Sequence, residues 1–173
     1  MNKRTELPTA ENSSNFNRVA GATCQVGTTL ENLKAAVCGE TGASAKYAAC
    51  AKLAKEKGYE LGRLWEATSA AEQVHIRLEA GLVEELEPGY ERPTADAPEL
   101  EEIDLNLIAS ANGEIFETSD MYPGFIAKAQ EEGNDKAVQV FTKAKLAEAV
   151  HAELYLRAYN NIDAADDDSY FLC

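Results

Sequence analysis

The sequence contains no Cys-x-x-Cys pair, no long apolar run and only two histidines, and each scarcity removes a class of function. Its four cysteines, Cys24, Cys38, Cys50 and Cys173, are too scattered for a zinc ribbon, a four-cysteine iron knot or a thioredoxin motif. Small thiols, mostly buried on helices, are the expected reading; Cys173, at the tip of the tail, is the most exposed redox candidate. No segment approaches the roughly 18 apolar residues of a membrane span, so no membrane partner is predicted. Met1 to Ala20 is polar and lacks the apolar core of a secretory signal. A cytoplasmic or organelle-matrix setting is the expectation. Basic residues are also short, 16 against 30 acidic, for a formal charge of −14. Phosphate backbones and anionic headgroups repel such a surface, which argues against nucleic acid as a partner. The same surplus suits a chain that spends carboxylates on metal ions.

The 173 residues, 45% of them hydrophobic, fit one domain with a sizeable core. Residues 1–27 are rich in Asn, Ser, Thr and Gly and read as an arm without a period. Thr28 or Thr29 can cap a helix running to about Lys57, which Gly58 stops. A second helix is predicted from about Tyr59 to Leu86. Glu87-Pro88-Gly89, Pro93 and Pro98 then forbid a helix and leave a connection long enough to travel the length of a bundle. A third helix is predicted from about Glu101 to Glu132, stopped by Gly133, and a fourth from about Asn134 to Asn161. Residues 28–161 would thus be the folded unit, and 162–173, with Asp166-Asp167-Asp168, a loosely ordered acidic tail. Helix, short turn, helix, long crossover, helix, short turn, helix is the order of a ferritin-like four-helix bundle, an all-α fold.

The chain also repeats itself. Gly39-Glu40 matches Gly113-Glu114, Tyr47 matches Tyr122, Gly58 matches Gly133 and Trp65 matches Phe141. Glu72-Gln73-Val74-His75 matches Glu148-Ala149-Val150-His151. Two helical hairpins of one design, related by a pseudo-twofold axis, are implied.

Each histidine has a glutamate three residues before it. With glutamate at about one residue in eight, both matches arise by chance roughly once in sixty. Positions i and i+3 share a helix face, so both Glu-x-x-His pairs can point at one site. Glu40 and Glu114, set in runs that are otherwise small or apolar, complete the dimetal pattern of two single glutamates and two Glu-x-x-His pairs. Carboxylates in a bundle core are costly unless a cation neutralises them. Oxygen and imidazole donors suit iron or manganese better than zinc or copper. Tyr47, seven residues after Glu40, returns to the same face. Tyr122, eight after Glu114, falls about 80° off it in a regular helix. A π-bulge between them would repair the mismatch, and such bulges often mark functional sites.

The runs Gly39-Glu40 to Tyr47, Glu72 to His75, Gly113-Glu114 through Met121-Tyr122-Pro123, and Glu148 to His151 resemble the rubrerythrin family over about residues 30–160. Glu-x-x-Glu followed by Met-Tyr-Pro is the most specific part. The resemblance implies a diiron centre in which Glu72 and Glu148 bridge the metals. Glu40 and His75 would be terminal ligands on one metal, Glu114 and His151 on the other. Glu117 would be the extra carboxylate that exchanges with His75 as the oxidation state changes. Tyr47 and Tyr122 would donate hydrogen bonds to carboxylate ligands across the bundle, fixing their orientation. Without Cys-x-x-Cys knuckles the sequence resembles the shorter, symmetric erythrin or symerythrin branch. An external electron donor, such as a rubredoxin or a flavoprotein, is then expected. Ala43 stands at the position related to Glu117, so one hairpin alone supplies the extra acid. The activity implied is reduction of hydrogen peroxide, or dioxygen, to water; iron handling by ferroxidation is the alternative. Relatives of this kind are often homodimers.

Overall fold

The computed structural model describes residues 24–163 and 169–170. The arm up to residue 23, the Asp166-Asp167-Asp168 run and Cys173 lie outside the described residues. The elements are α1 (Thr29–Glu56), α2 (Gly62–Leu86), α3 (Ile103–Phe116), a π-helical turn (Glu117–Met121), α4 (Tyr122–Glu131) and α5 (Asp135–Asn160). Helix α3, the π turn and α4 run on without a break, so four long rods form the bundle, and no strand occurs among the described residues.

The local signals act as physical chemistry requires. Thr28 caps α1 through a capping box with Glu31, each side chain satisfying a backbone N–H of the other. Gly58 (φ 79°) and Gly133 (φ 69°) take the left-handed conformation that ends α1 and α4. The two turns are copies: Tyr59 N donates to Ala54 O and Asn134 N to Ala129 O, both at 2.8 Å. Two asparagines lock the entries to α1 and α3 in the same way. Asn32 bonds both backbone groups of Gly27, and Asn106 both of Glu101.

Helix α2 starts later than its sequence suggests. Leu61 occupies the capping position and offers no side-chain acceptor, whereas Asn134 caps α5 by accepting from Ala137 N at 3.0 Å. Residues 59–61 therefore form a tighter turn. Gly62 then sits so close to α1 that an added Cβ would lie 3.1 Å from Ala51 O.

The hairpin α1–α2 packs on the hairpin formed by α3, α4 and α5. Two apolar clusters fill the bundle. One gathers Tyr47, Trp65, Leu107, Ile115 and Tyr155; the other gathers Leu33, Val37, Tyr122, Phe125 and Phe141. Ile162 is buried and Tyr170 packs against the first cluster, so part of the tail belongs to the core. Among the cysteines, Cys50 fits the expectation of a buried helical thiol. Cys38 instead points outward from α1, and the half-buried Cys24 precedes the helix.

Candidate metal centre

Between the two apolar clusters the core turns acidic. Helix α1 contributes Glu40, α2 contributes Glu72 and His75, α3 contributes Glu114, and α5 contributes Glu148 and His151; all six are buried. They form two overlapping groups, Glu40, Glu72, His75 and Glu148, and Glu72, Glu114, Glu148 and His151. In each, one donor atom per residue lies within 4.8 Å of the others. Glu72 and Glu148 belong to both.

The imidazoles face the carboxylates with their Nδ1 atoms. His75 Nδ1 lies 2.8 Å from Glu148 and 3.0 Å from Glu72; His151 Nδ1 lies 2.8 Å from Glu148 and 3.4 Å from Glu114. Neither nitrogen makes a well-aligned hydrogen bond, and both oxygens of Glu72 and of Glu148 are likewise unsatisfied among the described residues. Donors that converge without bonding one another fit a cation between them.

The two tyrosines brace the outer glutamates from the opposite hairpin. Tyr47 on α1 donates to Glu114 Oε1 on α3 at 2.5 Å, and Tyr122 on α4 donates to Glu40 Oε1 on α1. Tyr122 reaches its partner because the five-residue π turn takes up the extra residue between Glu114 and Tyr122. Burial first, and the facing carboxylate next, raise both phenols well above their ordinary range, so they remain donors.

A sequence model of the rubrerythrin family matches residues 31–159. Nigerythrin of Nitratidesulfovibrio vulgaris is 66% identical over all of this chain and 86% of its own length. The chain belongs to the rubrerythrin family. A rubrerythrin of Clostridium acetobutylicum is 32% identical over 78% of the chain and 71% of its own length. The solved structure of fully reduced, all-ferrous nigerythrin superimposes with a TM-score of 0.84, covering 97% of this chain and 84% of that one. The mixed-valence nigerythrin structure gives 0.83. The family is one of diiron oxidoreductases, and the donor set described above fits iron.

Two features of this rubrerythrin-family site stand outside the six. Glu117 opens the π turn, half-buried, and belongs to neither group of four. Burial and then the charges of Glu40 and Glu114 raise its pKa well above the carboxylate range. Glu79, one turn beyond His75 on α2, is fully buried and hydrogen-bonded to Tyr122. Sequence reasoning passed over it, although the spacing Glu72, His75, Glu79 keeps all three on one face.

Without metal, Glu72, Glu148 and both histidines are shifted from their ordinary ranges. Burial, then the charge of Glu40, pushes Glu148 up to about 7, and burial, then Glu114, raises Glu72 strongly. Burial by itself would lower His75, but the carboxylates of Glu148, Glu40 and Glu72 close to its Nδ1 outweigh it and raise the imidazole. His151 rises for the same reason, through Glu114 and Glu148. A raised folded-state pKa means that the native chain binds more protons than the unfolded one. For Glu148 that excess begins at the ordinary glutamate value of 4.5 and persists to about 7; for the histidines it begins at 6.5. Metal-free protein is therefore expected to lose stability as pH rises through this window. Bound metal requires ionised ligands, so the stabilisation it brings grows in the same direction. Melting curves with Fe(II) and with chelator, from pH 5 to 8, check both slopes. An equal melting temperature with and without metal would place these acids outside any metal site.

Proposed function

We propose that this protein reduces hydrogen peroxide, with dioxygen as the close variant, to water at a two-iron centre, using electrons from an external donor such as a rubredoxin or a flavoprotein. The observation that carries the reading is the pair of four-residue groups sharing Glu72 and Glu148. It supports Glu72 and Glu148 as bridges, Glu40 with His75 on one ion, and Glu114 with His151 on the other. Two ferrous ions supply both electrons that peroxide reduction needs; manganese is the alternative ion that the donor set would accept.

The chain's own residues do the rest. Tyr47 and Tyr122 hold Glu114 and Glu40 in one orientation, which keeps the cavity shaped for the ions. Glu117 stands beside the six without being needed to complete them, so it would offer a harder donor in place of His75 to the ion that Glu40 and His75 would hold. A groove of about 760 Å³ between α2 and α5 reaches His75 and His151, with Leu78, Leu146 and Val150 along it. A molecule the size of peroxide fits that approach. No described helix is long and apolar enough to cross a membrane. A cytoplasmic or organelle-matrix location and a homodimer complete the proposal.

Anaerobic reconstitution with Fe(II), followed by stopped-flow oxidation, tests it. Peroxide is expected to oxidise the bound iron faster than dioxygen does. Slow oxidation by both, together with a many-subunit cage in light scattering, would favour the iron-handling alternative.

A further inference from the structure

Glu79 is a fully buried acid that the proposed ligand set does not use. Tyr122 Oη lies 2.9 Å from Glu79 Oε1 and is also hydrogen-bonded to Glu40 Oε1. A phenol carries one proton and cannot donate to both. Three oxygens in line therefore need a second proton, held by one of the two carboxyl groups. Glu40 lies in a group of four donors with His75, where a cation requires the ionised form. Glu79 has no such company: its Oε2 is buried with no hydrogen-bond partner among the described residues. That arrangement is far cheaper for a neutral acid than for an anion. Burial, and next the charge of Glu40, act on Glu79 in the same direction, raising its pKa well above the ordinary range.

Among the described residues, the other half of the bundle lacks this arrangement. Tyr155 stands to His151 as Glu79 stands to His75, and its hydroxyl is bonded to Thr68. Among the described residues, the Tyr47 hydroxyl donates to Glu114 alone.

We infer that Glu79 is a positioning residue, a carboxylic acid that donates its proton to Tyr122 Oη and so commits the Tyr122 hydrogen to Glu40. The inference rests on the ligand role proposed above for Glu40. A phenol that accepts a hydrogen bond is a stronger donor in turn, so Glu40 is held harder than Glu114. The two ends of an otherwise symmetric site thereby become unequal.

Anaerobic Fe(II) titrations of the wild type, Glu79→Gln, Glu79→Leu, Tyr122→Phe and the Glu79→Leu/Tyr122→Phe double variant test this. Glu79→Leu is expected to weaken one of the bound ions about tenfold, the scale of a lost outer hydrogen bond. Glu79→Gln restores the affinity, because its amide can donate to Tyr122. The double variant binds no more weakly than Tyr122→Phe alone, because Glu79 acts through Tyr122. Wild-type affinity in Glu79→Leu, or additive losses in the double variant, would overturn the assignment. Infrared difference spectra of wild type minus Glu79→Gln provide a readout independent of metal. A carboxylic-acid carbonyl band that shifts in deuterium oxide is expected; carboxylate bands in its place would refute the inference. If Glu79→Leu does not fold, the isosteric Glu79→Gln spectrum decides. A wild type that binds no Fe(II) would instead overturn the proposed function, and the spectrum of metal-free protein would still report the state of Glu79.

Discussion

Glu72→Ala and Glu148→Ala are each expected to emerge from anaerobic Fe(II) reconstitution with most of the metal missing. Each residue belongs to both groups of donors, so under the proposed ligand set its loss would remove an oxygen donor from both ions at once. The nearest replacements are poor. Glu40 and Glu114 reach only one group each, and both are tied to tyrosines of the opposite hairpin. Glu40→Ala is the informative control. It strips one group and leaves Glu72, Glu114, Glu148 and His151 intact, so it should retain about half of the iron. The same substitutions have a second, opposite consequence in the metal-free protein. Removing Glu148 takes away a carboxylate whose ionised form burial, and then the charge of Glu40, disfavours, so metal-free Glu148→Ala should melt higher than metal-free wild type above about pH 7. Elemental analysis and paired melting curves read both effects. Full metal loading in either variant would sink the bridging assignment.

Glu117→Ala is expected to behave in the reverse way, keeping its two metals and losing fast oxidation by peroxide, by at least about tenfold. Glu114 and Glu117 are one turn apart on continuous helix, yet Glu117 lies outside both groups of donors. The six residues proposed as ligands form their two groups without it. Under the proposed function it would add a hard carboxylate beside iron that alternates between softer ferrous and harder ferric states, a change that favours oxygen over imidazole. Its place at the first residue of the π turn matters here. The wider turn is the least regular part of the third rod, so a side chain there moves at lower cost than one in a regular helix. Metal analysis and stopped-flow traces of the two proteins side by side decide the matter. An unchanged peroxide rate would reject the exchange and leave a plain ferritin-like oxidase as the better reading.

Much of this protein is legible in one dimension because its information is local. A glycine that takes the left-handed conformation stops a helix, and a threonine before a periodic run can cap one; Gly58 and Gly133 therefore mark their helix ends without reference to the rest of the chain, while of the candidates Thr28 and Thr29 it is Thr28 that caps α1. Helical periodicity places Glu72 with His75, and Glu148 with His151, on one face each. The repeat between hairpins even exposes the π turn, because one extra residue between Glu114 and Tyr122 cannot be absorbed by a regular helix that keeps both inward. Other features required the assembled bundle. Periodicity states which face a residue occupies, but not which helix lies opposite. The resemblance implied bonds across the bundle; the pairings, Tyr47 with Glu114 and Tyr122 with Glu40, and the overlap of the two donor groups at Glu72 and Glu148, depend on how the hairpins are set together. The same holds for Cys38, helical by sequence yet turned outward, and for Ile162 and Tyr170, assigned to a loose tail yet packed on the core. Glu79 is the sharpest case. Its spacing from His75 puts it on the inward face, but a glutamate on an inward face becomes a site only when another helix brings it a partner. Here that partner is the Tyr122 hydroxyl, which tertiary packing sets between Glu79 and Glu40.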